Sequence, residues 1–185
     1  MKFFKLLISV KTIIAFIGIT FSTQAYSQET SNNQVAALKQ WRVFIENNPK
    51  ECWGMSIPED TINTRNGREV EVKRGDTILF VSFFPASRAN GQVSFTGGYP
   101  FAKGSKVTLR VLRNNDMDGI SFALFTEGDW AWAESDEYDA RIISAMKKGA
   151  RAVLTARSSR GTQTQDTFSL MGFTAALEDA EKRCK

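Results

Sequence analysis

Trp41, Val43 and Ile45 alternate with Arg42, Phe44 and Glu46, the period of two that turns one face of a strand toward a core. Asn47-Asn48-Pro49 then supplies a turn, and Cys52 to Ile57 predicts the returning strand. Further strands are predicted over Glu69 to Lys73, Thr77 to Phe84, Gly91 to Phe95, Lys106 to Leu112 and Ile120 to Phe125. Between them lie Asn66-Gly67, Arg74-Gly75-Asp76, Ala89-Asn90-Gly91, Thr96-Gly97-Gly98 and Asp118-Gly119, the residues that hairpin connections require. Upstream, Gln34 to Gln40 reads as a short helical turn.

Two stretches change period. Ser135 is placed to cap a helix with Asp136 and Glu137 in its first turn, and Lys147, Lys148 and Gly149 give its end. Its apolar face is Tyr138, Ile142, Ala145 and Met146. A strand follows over Ala150 to Ala156, then a polar loop from Ser158 to Gln165 and a strand from Thr167 to Met171. The last helix begins near Gly172 and sets Phe173, Ala176, Leu177, Ala180 and Cys184 on one stripe. Short strands at this spacing predict a mainly β chain, an antiparallel β-sandwich or barrel-like domain with two short helices, the second C-terminal.

The first 27 residues stand apart. Lys2, Lys5 and Lys11 precede an apolar run, Thr12 to Phe21, and Ala25-Tyr26-Ser27 places small residues at a cleavage position. That order is a secretory leader, with processing expected before Gln28, or else before Tyr26. The apolar run is about half the roughly 20 residues a spanning helix needs, so no membrane segment is expected in the mature chain. Residues 28–40 read as a polar lead and 41–185 as one domain. Export to the periplasm, or secretion, is the expected location.

The leader also explains the charge. The whole chain carries 24 basic and 20 acidic residues, a formal net of +4. The leader holds three lysines and no acid, so the mature chain is close to neutral and no global attraction to nucleic acid is expected. There is no histidine, which excludes histidine-based triads and histidine-ligated zinc. Nor is there a G-x-S-x-G elbow, an S-x-x-K or an H-E-x-x-H. We therefore expect no catalytic residues, no metal and no cofactor.

What remains is a short list. Cys52 and Cys184 are the only cysteines, so an exported chain has a single pairing open to it. Trp130 and Trp132 are two apart and share a face of a strand, a stacking platform for sugar rings or another apolar ligand. Arg151, Arg157 and Arg160, with Lys147 and Lys148, gather positive charge suited to lipid or lipopolysaccharide phosphate. Arg74-Gly75-Asp76 spells an integrin-type tripeptide, although Gly-Asp is also ordinary turn chemistry. Asn114 to Gly119 has alternating oxygens like the start of a calcium loop, but loop position twelve is Phe125, so the cage stays open and a hairpin turn is expected.

Several motifs occur together. Trp41, Cys52-Trp53, the run Val93 to Phe101 (VSFTGGYPF), Asp129-Trp130-Ala131-Trp132, Ala145 to Gly149 (AMKKG), Ser158 to Thr164 (SSRGTQT) and Thr167 to Ala176 (TFSLMGFTAA) resemble the invasion-associated locus B family of alphaproteobacteria. The resemblance runs from about Trp41 to Cys184. It implies an exported, mainly β envelope protein, linked in pathogens to host-cell entry, with no reaction that could be transferred to residues of this chain. The reading is thus a periplasmic binding or interaction protein with an unknown envelope component or protein as partner. A secreted adhesin acting on a host-cell surface is the alternative, and a histidine-free hydrolase the third.

Overall fold

The computed structural model describes residues 33–86, 89–114 and 119–185. The expected leader and most of the Asn114 to Gly119 oxygen run lie outside them. Twelve strands are described: β1 Gln34–Leu38, β2 Trp41–Asn47, β3 Lys50–Ser56, β4 Asp60–Arg65, β5 Arg68–Glu69, β6 Ile78–Phe84, β7 Ala89–Thr96, β8 Lys106–Leu112, β9 Ile120–Glu127, β10 Trp130–Trp132, β11 Arg151–Arg157 and β12 Gln163–Ser169. Helix α1 spans Asp136–Lys148 and α2 spans Phe173–Cys184. The strands form one antiparallel sheet in the order β1-β2-β3-β6-β7-β10-β9-β8-β11-β12-β4-β5.

This sheet curls on itself. The Trp41 indole Nε1 donates to the Ser169 carbonyl at 3.0 Å, which ties β2 to the end of β12. The Gln40 amide donates to the Met171 carbonyl at 3.2 Å. Across the interior Phe95 of β7 meets Phe168 of β12 edge-on, with ring centroids 6.2 Å apart. A continuous core of alternate residues results, with Val43, Leu79, Val81, Leu109, Leu124 and Leu154 buried inside. The mainly β, sandwich-like or barrel-like expectation therefore holds, with both helices where they were predicted.

Both helices plug this interior. Ser135 caps α1, its hydroxyl accepting from the Tyr138 amide, and Asp136 and Glu137 occupy the first turn, where the helix dipole favours negative charge. The buried face is Asp139, Ile142, Ile143 and Met146, one residue around from the predicted stripe. Helix α2 buries the predicted stripe unchanged, against β2, β3 and β6. Its start needs a glycine: Gly172 has φ +91°, and a Cβ there would sit 1.9 Å from the Leu38 carbonyl oxygen.

Three local expectations differ. Gln34 to Gln40 is not a helical turn but β1, whose Gln34, Ala36 and Leu38 pair with Phe44, Val43 and Trp41 of β2. Of the strand expected over Glu69 to Lys73 only the short Arg68–Glu69 pair forms. The polar loop is shorter than expected, because β12 begins at Gln163. In the first case Ala and Leu are good helix formers, and pairing with β2 overrides that preference.

Candidate functional site

Around β6 the outer face of the sheet is unusual because it is apolar too. Strand β6 reads ILFVSFF, and while Leu79, Val81 and Phe83 are buried in the core, Phe80, Ser82 and Phe84 face outward and are half-buried. Register decides what surrounds them. Across the sheet Met55, Phe80, Ser94, Trp132 and Phe125 stand side by side, and in the next row Phe44, Trp53, Ser82 and Gln92 do. Small serines thus fall between aromatic walls. The outcome is a trough of about 340 Å³ with Ser82 and Ser94 in its floor, Trp53 on one side, Trp130 and Trp132 on the other, and Phe80 reaching Trp130 between them.

The walls are held by ring contacts. Trp130 and Trp132 stack with centroids 6.2 Å apart and planes at 18°, as two residues of one strand face should. Phe80 supports Trp130 at 5.7 Å, Phe125 supports Trp132 at 5.6 Å, and Phe44 stacks on Trp53 at 5.5 Å. Glu51 and Gln92 add a carboxylate and an amide to the rim. Flat apolar faces beside hydrogen-bonding groups suit a ring with one apolar face and polar edges.

The basic residues are divided differently. Arg151 and Arg157 stand at opposite ends of β11, about 20 Å apart at the strand rise. Arg160 lies beyond the second end, in the turn before β12. The three therefore do not form one cluster. Arg160 instead lines a cleft of about 520 Å³ together with Arg65 and Lys73, which the sequence did not single out. Nothing in the local sequence marks them, since it is the pairing of β4 with β12 that brings Arg65 to this turn.

Arg74 forms the inner wall of that cleft. Its Nη1 and Nη2 donate to the two oxygens of Asp166, each at 2.7 Å, and its Nε donates to the Gly97 carbonyl. Asp166 is fully buried, and the Arg74 side chain is 9% exposed. The arginine of the Arg74-Gly75-Asp76 tripeptide is therefore held within the protein and not displayed beside the exposed Asp76. Close backbone approach builds this corner: Gly75 N–H donates to the Gly98 carbonyl, and a Cβ on Gly98, at φ +71°, would lie 2.4 Å from the Gly75 oxygen. The Arg74 guanidinium also covers the Tyr99 ring at 5.0 Å. Burial pushes the Tyr99 phenol above its ordinary value, against the Thr164 hydrogen bond and Arg74, so at neutral pH it stays protonated.

Cys52 and Cys184 form a disulfide with Cα atoms 5.7 Å apart, tying the end of α2 to β3. Among the described residues no helix is long and apolar enough to cross a membrane.

The architecture defines a class: a single curled antiparallel sheet plugged by two helices, with a disulfide holding the C-terminal one. Within that class the chain belongs to the invasion associated locus B (IalB) family, whose model matches residues 41–181. The fold is similar to the crystal structure of invasion associated protein B from Bartonella henselae, with a TM-score of 0.52 and 16% identity over 80% of this chain and 95% of that one. No curated protein matches the sequence. The family is not a known enzyme family.

Proposed function

We propose that this protein is exported to the bacterial envelope and acts there as a non-catalytic binding protein whose ligand is an envelope glycan held in the aromatic trough. The carrying observation is the register itself, which sets Ser94 between Phe80 and Trp132 and Ser82 beside Trp53, so that small side chains lie among aromatic ones. A buried aromatic pair would satisfy a core, but these rings lie on the face opposite it and remain half-open to solvent. Pyranose rings present C–H groups to such surfaces and hydroxyls to groups like Glu51 and Gln92. The leader pattern and the disulfide support an oxidising, extracytoplasmic location.

The test is fractionation followed by titration. Protein recovered from the periplasm should be retained on purified cell-wall glycan, and soluble fragments of that glycan should change its tryptophan emission saturably. Recovery from the cytoplasm, or emission and retention indifferent to every envelope saccharide, overturns the reading.

A further inference from the structure

The cleft beside Arg74 is separate from the trough, and its electrostatics call for an occupant of opposite sign. Arg65 comes from the end of β4, Lys73 from the segment joining β5 to β6, and Arg160 from the turn between β11 and β12. Only one acid, Glu71, shares the lining. The charge of Arg74 is already matched by Asp166. Lys73 and Arg160 make no hydrogen bond or ion pair among the described residues. Cations converging on a concave space repel one another, and an anion bound there relieves that repulsion.

The cleft is also shaped in advance. The Arg65 Nε and Nη2 both donate to the Thr162 hydroxyl, at 3.2 and 2.7 Å, which fixes the guanidinium while leaving Nη1 without a partner among the described residues. Arg160 rides on a turn closed by Ser158 N–H to the Thr162 carbonyl and Thr162 N–H to the Ser158 hydroxyl. The Ser159 amide is tied to the Pro100 carbonyl. Such bonds lower the ordering cost of binding.

We infer that this cleft is a binding site for a phosphoryl group, held between Arg65, Lys73 and Arg160. Three cations from three segments suit a group that presents several oxygens in different directions, and guanidinium forks match phosphate oxygens in pairs. The phosphoryl group belongs either to a soluble phosphate ester or to a phospholipid headgroup. The site uses none of the trough residues, so its failure leaves the glycan reading standing, and the reverse.

The experiment is calorimetric titration of the purified protein at low salt with inorganic phosphate and with glycerol phosphate, beside flotation with phosphatidylglycerol and phosphatidylcholine vesicles. Saturable binding of the soluble phosphates identifies a soluble ester. Retention on phosphatidylglycerol alone identifies a headgroup. In either arm Lys73→Gln with Arg160→Gln should weaken binding at least tenfold, with thermal unfolding unchanged because both side chains are exposed and make no protein bonds. Arg151→Gln, at the far end of β11, made together with Lys147→Gln removes the same charge away from the cleft and should leave binding unaltered. No binding in both arms, or equal loss with Arg151→Gln and Lys147→Gln, overturns the assignment.

Discussion

Arg74 and Asp166 stand 92 residues apart and meet through two hydrogen bonds of 2.7 Å, with the carboxylate fully shielded from water. Thr61 adds a third bond to the same carboxylate at 2.8 Å. The segment between β5 and β6 makes no strand of its own, so this pair is what fastens it to β12.

Removing either partner leaves a buried charge without its counterion. Arg74→Met or Asp166→Leu alone is expected to cost about 3 to 5 kcal/mol, whereas a well-packed apolar replacement of both costs far less. Urea unfolding of the two single variants and the double variant checks this. A strictly additive double variant would show that the pair is not coupled.

Asp139 supplies a different electrostatic test. Strand β10 ends at Trp132, opposite Ser94, and the next outward amide of β7, on Val93, donates instead to the Asp139 carboxylate of α1 at 2.7 Å. Burial pushes the Asp139 carboxyl up to about 6, with a further rise from Asp136 and an opposing pull from the Val93 bond. The folded state therefore holds this proton more tightly than the unfolded chain, whose value is near 4. The stabilisation is complete below about pH 4 and is lost as pH rises through about 6. Asp139→Asn keeps an oxygen for Val93 and loses the charge, so it should raise Tm at pH 7.5 and flatten the slope of stability between pH 4 and 6. An unchanged slope would show that another group controls it.

The disulfide should act on stability rather than on ligand. Its closed loop spans a sequence separation of 132, for which the chain-entropy model gives about 5 kcal/mol. Cys52→Ala with Cys184→Ala should lower the urea midpoint strongly while the folded protein keeps its ligand affinity, since neither sulfur touches trough or cleft. An equal midpoint with and without reductant would contradict this.

How much of this was legible in the sequence depends on where the apolar residues fell. Strands β2, β6, β8 and β11 have buried faces of Trp, Val, Leu, Phe or Ala, and a period of two reveals them. Strand β12 hides its inward face behind Thr164 and Asp166, which read as loop residues until the hydrogen bonds to Tyr99 and Arg74 are seen. Strand β4 has one apolar residue, Ile62, itself 37% exposed, so no pattern announces it. The Trp130 and Trp132 pair could be placed on one face from spacing alone. Trp53, on the far side, could not, because it arrives there through strand register, although Phe80 and Phe84 on the other alternation of β6 from Leu79, Val81 and Phe83 signal that its outer face is apolar as well.

The trough carries the last prediction. Trp132 contacts Trp130 and Phe125 and is half-exposed on the outer face, while Phe95 is fully buried between the two walls of the core. Truncating each to alanine should separate binding from stability. Trp132→Ala should weaken glycan binding tenfold or more, a loss of about 1.4 kcal/mol per factor of ten, and leave Tm within a few degrees of the parent. Phe95→Ala should cost about 3 to 5 kcal/mol of stability through the cavity it opens. Circular dichroism melts read the second effect, and retention on cell-wall glycan reads the first. Should Trp132→Ala bind as well as the parent, the stacked pair is only packing and the trough is not the ligand surface.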